Sequence, residues 1–260
     1  MSTERALKKI LAFAGLIIIA SYAHAQSVYT YDAKKDIIIG TLSLGVFLSP
    51  FFVDNSPDQP PLSSPDKSGV NGFDRPLMFS YNRAMDAVSD YGVYGMLVLP
   101  CLSVLDNFNA DTLLTYGIMY GQAFLFTFGT KDLLKSSVIR YRPYVYAGAI
   151  PAGKEDDYHN SFPSGSTSLA FLSATFLSTT FSQEYPESKW KLPVIIGSYT
   201  LAAGVATMRI ASGSHFLSDV ITGAAIGSFY GWIIPFLHKE RNENFALYFT
   251  GNGFLASLKY

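Results

Sequence analysis

The sequence predicts an all-α, membrane-associated bundle of about five or six helices, and it allows a short C-terminal β-hairpin. Three observations carry this. Hydrophobic residues make up 49% of the 260 and charged residues only 15%, against roughly 25% charged in globular chains. Apolar stretches of helical length recur, separated by polar turns. The last of them contains Gly223-x-x-x-Gly227 and Gly227-x-x-x-Gly231, a spacing that lets helix backbones approach closely within a membrane. With 19 basic and 20 acidic residues the chain is near neutral, which argues against a nucleic-acid partner. The single cysteine, Cys101, rules out an intrachain disulfide framework and a cysteine-rich metal site. Its apolar surroundings predict a packing role.

Taken in order, residues 1–25 have the layout of a secretory signal: Arg5, Lys8 and Lys9, an apolar centre over 10–20, then Ala23-His24-Ala25. Cleavage is expected after Ala25. Residues 26–83 read as an N-terminal apolar segment and a loop. The run 37–53 is marginal for a span, and 54–71 is rich in Pro, Ser, Asp and Gly. Residues 84–239 read as a helical domain. Helices are expected over 83–105, 112–142, 163–181, 191–208 and 214–237, with Pro143 ending the second. Loops fall at 106–111 and 144–162. In the 240–260 tail, alternation around Gly251-Asn252-Gly253 suggests a hairpin.

Three patches carry chemistry. Lys135 and Arg142 are close to two helical turns apart, so a continuous helix would present both cations on one face. Pro163-Ser164-Gly165-Ser166 opens a helix, where free N–H groups and the dipole favour an anion. Arg209 precedes His215, and Asp219 follows four residues later, the helical spacing at which a carboxylate orients an imidazole. Ser214 is the expected N-cap. Together these residues make a site that binds a tetrahedral oxyanion and attacks it.

Lys135-x6-Arg142-Pro143, then Pro163-Ser164-Gly165, then Arg209-x5-His215-x3-Asp219 resembles the three-part signature of the type 2 phosphatidic acid phosphatase superfamily, which includes bacterial acid phosphatases and vanadium haloperoxidases. The resemblance covers residues 86–237. It implies that Lys135, Arg142 and Arg209 bind phosphate oxygens, helped by Ser164 and the Gly165 N–H. His215 would form a phosphohistidine, with Asp219 fixing its tautomer. It implies no metal or other cofactor, with vanadate acting as a phosphate mimic or inhibitor. Two positions depart from the family pattern. Met208 replaces a serine, and Ser166 stands where the general-acid histidine is expected, although a hydroxyl is a very poor acid. His159 supplying the proton, a phosphoanhydride substrate that needs little protonation, and an impaired phosphate-lipid binder all stay open.

The expected substrate is a lipid phosphate or lipid pyrophosphate, with the membrane as partner and no obligatory protein partner. A soluble secreted acid phosphatase of the same superfamily is the alternative. The leader-like residues place the protein in a bacterial-type envelope, at the inner membrane, with the site facing the periplasm if 37–53 does not fully span. His238, past the last helix, reads as an interface residue.

Overall fold

The structure, a computed structural model, describes residues 27–53, 65–104, 109–148, 150–240, 245–250 and 253–258. The leader, with its cleavage site and His24, lies outside them. Six α-helices are described: α1 (Ala33–Leu48), α2 (Arg83–Val98), α3 (Ala110–Ser137), α4 (Gly165–Glu184), α5 (Lys191–Ala211) and α6 (Leu217–His238). Strands β1 (Phe245–Thr250) and β2 (Gly253–Leu258) pair antiparallel, so the expected hairpin forms.

Side-chain caps set three of the helix starts. Asp32 accepts from the N–H groups of Lys34 and Lys35, Asn82 from Met85 and Asn109 from Thr112, satisfying first-turn donors that have no partner within the helix. Four helical stretches are long and apolar enough to cross a membrane: Ala33–Phe52, Arg83–Val104, Lys191–Ala211 and Leu217–His238. The first is α1 continued by a 3-10 turn, so the run expected to stop short of a span has the length of one. Outward-facing Ile37, Leu42, Tyr91, Ile196, Ile221 and Trp232 are exposed, as lipid-facing side chains of a bundle are. Cys101 is also exposed, so it does not pack in the core.

α4 lies at the centre and α6 runs along it. Cβ atoms built on Gly223, Gly227 and Gly231 would stand 2.5, 2.0 and 2.7 Å from the carbonyl oxygens of Ser164, Ser168 and Leu172. The small-residue spacing is therefore an inter-helix seam. Gly227→Ala is expected to lower stability by about 2 kcal/mol through overpacking, despite alanine's better helix propensity. Gly197→Ala, where the new Cβ meets nothing within 4 Å, is the comparison and should be neutral or slightly stabilising. Denaturant unfolding in detergent measures both.

Residue 27 and the Lys131–Lys135 stretch of α3 sit at opposite ends of α1. Near its start, Asp36 Oδ1 meets His238 Nε2 at 2.6 Å, and both residues are buried. His238 is thus a helix-end anchor inside the bundle and not an interface residue. Near the end of α1, Val46 and Phe47 cross Gly129 of α3, shortly before Lys131 and Lys135.

Candidate active site

Two local expectations change at the site. α3 stops at Ser137, so Arg142 does not share a helical face with Lys135. Residues 140–142 are instead extended against 158–161: Arg140 N donates to His159 O at 3.0 Å, Arg142 N to Tyr158 O at 2.9 Å and Ser161 N to Arg140 O at 3.0 Å. β-Branched Val138 and Ile139 favour this extended run, and proline biases residue 142 the same way. α6 begins at Leu217, with Phe216 as N-cap, three residues later than expected. Ser214 is not the cap; its hydroxyl donates to Asp86 Oδ1 at 2.8 Å. The turn before His215 needs glycine. Gly213 has φ +70, and a Cβ there would lie 2.4 Å from Phe79 O.

His215 therefore lies outside the helix. Its Nδ1 is 2.7 Å from the Ser161 carbonyl and 3.8 Å from Asp219 Oδ2. A carbonyl only accepts, so Nδ1 carries the proton and Nε2 keeps its lone pair. Asp219 acts one step back: Oδ2 accepts from the Ser161 hydroxyl at 2.6 Å and from Phe216 N at 2.9 Å. The physical reason is its place in the first turn of α6, where its carboxylate reaches back to the Phe216 N–H and not to a direct pair with the imidazole.

Arg142 touches Nε2, and the charges of Arg209 and Lys135 also act on His215. Arg142, 3% exposed, brings Nη1 to 3.2 Å from His215 Nε2 and 3.0 Å from Ser214 O, while its Nη2 pairs with Asp157 at 2.5 Å. Arg209 Nη1 pairs with Asp86 at 2.7 Å and Asp90 at 3.1 Å. Its buried Nε has no hydrogen-bond partner among the described residues, which leaves a donor suited to an anion. Lys135 Nζ donates to Asn160 O. Ser164 caps α4; its hydroxyl meets Thr167 Oγ1 at 2.9 Å and its N–H donates to Asp219 O at 3.0 Å. Gly165 and Ser166 form the first turn, with Ser166 half-buried. His159 is buried, edge-on to Tyr158 at 4.9 Å, so it is not a solvated loop residue.

Burial, followed by the charges of Arg142, Arg209 and Lys135, holds the His215 pKa well below its ordinary value. The imidazole is neutral at neutral pH, as a nitrogen nucleophile must be. The unfolded chain takes up a proton at this residue below about pH 6.5 that the folded chain refuses. Its contribution to stability is thus intact above about 6.5 and is lost as pH falls toward the folded value. Between about pH 7 and 5, His215→Ala should flatten the decline in unfolding free energy by up to about 1.4 kcal/mol per pH unit. Equal slopes in the two proteins would show that His215 does not contribute.

Sequence reasoning missed the second rank of residues. Arg140 reaches Asp219 Oδ1 through Nη1, Asp74 Oδ2 through Nη2 at 2.6 Å, and lies over the Phe216 ring. Asp74, fully buried, also accepts from Ser218 N at 2.8 Å, Ser218 Oγ at 2.6 Å and Asn71 Nδ2 at 2.7 Å. Burial pushes its pKa up, but these hydrogen bonds outweigh burial and hold it below the usual carboxylate range. Asp86 gathers Arg209, Ser214, Tyr81 at 3.0 Å and Lys154 at 2.9 Å. Arg140 was visible only as one more basic residue. Asp74 sits in a loop with no pattern, and Asp86 reads as an ordinary first-turn acid. Among the described residues, no group of three His, Cys, Asp or Glu side chains is arranged to hold a metal ion.

A family model described as the PAP2 superfamily matches residues 113–243, half of the chain. The chain belongs to the PAP2 superfamily. Asp74 and Asp86 lie outside the matched stretch, yet they hold its arginines. A PA-phosphatase related-family protein of Dictyostelium discoideum is 32% identical over 126 residues, 45% of this chain and 46% of that one. Lipid A 1-phosphatase of Porphyromonas gingivalis is 36% identical over 86 residues, 31% of this chain and 18% of that one. The PAP2 chain thus spans less than half the length of either relative. Among solved structures, the PAP2-type phosphatidylglycerolphosphate phosphatase of Bacillus subtilis aligns at 17% identity with TM-score 0.46, over 90% of this chain and 97% of that one. Aquifex aeolicus LpxE aligns at 23% with TM-score 0.41, over 62% and 91%.

Proposed function

We propose that this chain is a metal-independent phosphatase that releases phosphate from a lipid phosphate or lipid pyrophosphate through a phosphohistidine on His215. One observation carries the reading: Nδ1 of His215 is committed to the Ser161 carbonyl, so the lone pair of Nε2 is presented beside Arg142. Arg142, Arg209 and Lys135 bind the phosphate oxygens, and Ser164, Ser166 and the N–H groups at Gly165 complete the cradle. Nε2 attacks phosphorus, and water then hydrolyses the N–P bond. Asp219 positions His215 by way of Ser161. His159 donates the proton to an ester leaving group; an unchanged pH–rate profile for His159→Ala on a monoester would remove that role. The four membrane-length helices favour a substrate whose tail lies in the bilayer.

The test is phosphate release by the detergent-purified protein from a panel of lipid phosphates, with His215→Ala as the blank. Binding of the lipids without release would favour the impaired-binder reading. That reading has one observation on its side: Asp157 and Asp86 hold Arg142 and Arg209 in ion pairs.

The proposed orientation has the site facing the periplasm, at the inner membrane, after cleavage of the leader at Ala25. With the leader cleaved, residue 27 emerges on the periplasmic side, so this orientation requires that α1 does not cross; with the leader uncleaved and residue 27 cytoplasmic, a crossing α1 gives the same orientation. Single cysteines at Asp156 and Tyr31, both exposed, can be labelled with an impermeant thiol reagent in a Cys101→Ser background. Labelling at both means that α1 does not cross, labelling at 156 alone means that residue 27 is cytoplasmic, and labelling at 31 alone overturns the orientation.

A further inference from the structure

We propose that Lys131 is a fourth phosphate-binding cation, and that it selects substrates carrying two linked phosphates. The proposal rests on the phosphohistidine reading. Lys131 is 7% exposed and lies one helical turn before Lys135 on the same face of α3. Its stem crosses the first turn of α4: a Cβ on Gly165 would stand 3.1 Å from Lys131 Cδ and 3.8 Å from Nζ. The ammonium therefore sits beside N–H groups that have no intrahelical partner. Its own partners are Asp132, at 2.5 Å, and the Phe128 ring, 3.6 Å from the centroid. A lysine kept only for solubility would snorkel outward; one turned inward within an apolar helix carries a cost that function explains.

The order of charges across the site gives Lys131 its role. Arg142, at 3.2 Å from His215 Nε2, follows the end of α3 at Ser137, Lys135 lies in the last turn of that helix, and Lys131 lies one turn farther back against Gly165. Of the two α3 lysines, Lys131 is thus the one farther along the chain from Arg142. An in-line displacement expels its leaving group on the side away from the attacking atom. Three cations and a helix start already suit one phosphate; a fourth, about 5–6 Å further along the helix face, suits the next. In the step, Nε2 forms a bond to the terminal phosphorus and the bridging P–O bond breaks. The bridging oxygen keeps the electron pair and departs as a lipid monophosphate, its charge met by Lys131 and not by a proton. Water then adds its hydroxyl to phosphorus as the N–P bond breaks and its electron pair returns to Nε2, and water's other hydrogen leaves on the inorganic phosphate.

The experiment compares farnesyl diphosphate with farnesyl monophosphate in the same detergent micelles, so that the tail is held constant. Wild type should favour the diphosphate in kcat/KM. Lys131→Met should cut that preference roughly 10- to 100-fold, as expected for a lost hydrogen bond between charged groups, and Lys131→Arg should restore most of it. Asp132→Asn, at a half-exposed position, frees Lys131 from its counter-ion and should raise the preference even if Lys131→Met fails to fold. An unchanged ratio in both Lys131→Met and Asp132→Asn overturns the proposal. Competition between methylenediphosphonate and inorganic phosphate for the site separates the two readings. If wild type hydrolyses neither substrate, the hydrolase reading fails alone when Lys131→Met still weakens diphosphonate binding selectively, and both fail when it does not.

Discussion

His215→Ala is expected to lower phosphate release by roughly 10⁴-fold or more, the scale seen when a nucleophile is removed from a site whose groups act together. The geometry makes this loss specific. Nδ1 is tied to a main-chain carbonyl that no side-chain substitution removes, so the lone pair on Nε2 is a property of the fold. Acid-labile phosphoprotein should accumulate in wild type quenched during turnover on radiolabelled lipid phosphate, and none should form in the variant. Asp219→Asn should cost far less, about 10- to 100-fold, because the carboxylate holds the Ser161 hydroxyl while His215 Nδ1 bonds the carbonyl of the same residue. Substantial turnover by His215→Ala would end the phosphohistidine reading. A loss in Asp219→Asn as large as that in His215→Ala would show that the carboxylate acts directly.

Arg140→Met carries the second large effect, this time on folding as well as rate. Arg140 is the shared partner of two buried carboxylates, Asp74 and Asp219. Removing it leaves both without their cation, at a cost of about 3 kcal/mol or more. The 216–219 turn, which the guanidinium braces by lying over Phe216, loses its support. Arg140→Lys keeps a charge but cannot bridge two carboxylates with a rigid fork, so it should recover only part of the stability. The double variant Arg140→Met, Asp74→Asn should be less destabilised than the sum of its parts, since one uncompensated charge is gone. Additive losses would show that the two side chains do not share one network.

The helical segments were legible because each depends on neighbours in sequence; three caps that the sequence reading did not name are equally local. Asp32, Asn82 and Asn109 act on N–H groups two or three residues away, and the glycines of α6 announce their seam by spacing alone. The ends of α3 and α6 were misplaced by several residues for the opposite reason. Val138, Ile139 and Pro143 only bias the chain away from helix; what fixes the stop of α3 at Ser137 is that residues 140–142 find partners on 158–161. Nor does the sequence around Ser214 show that its hydroxyl belongs to Asp86, 128 residues away.

By itself, then, the sequence determined which residue types to look for, Lys135, Arg142, Ser164, Arg209, His215 and Asp219, because they stand at fixed spacings in three motifs, although Arg142 and His215 lie outside the helices that spacing suggested. The tertiary structure alone decided how they are wired. The His215–Asp219 contact expected from a shared helix face gives way to the Ser161 carbonyl, with Asp74, Asp86 and Arg140 supporting the site from distant parts of the chain. Buried polar and charged groups must be satisfied by whatever the fold brings near them, and sequence spacing carries no record of that choice.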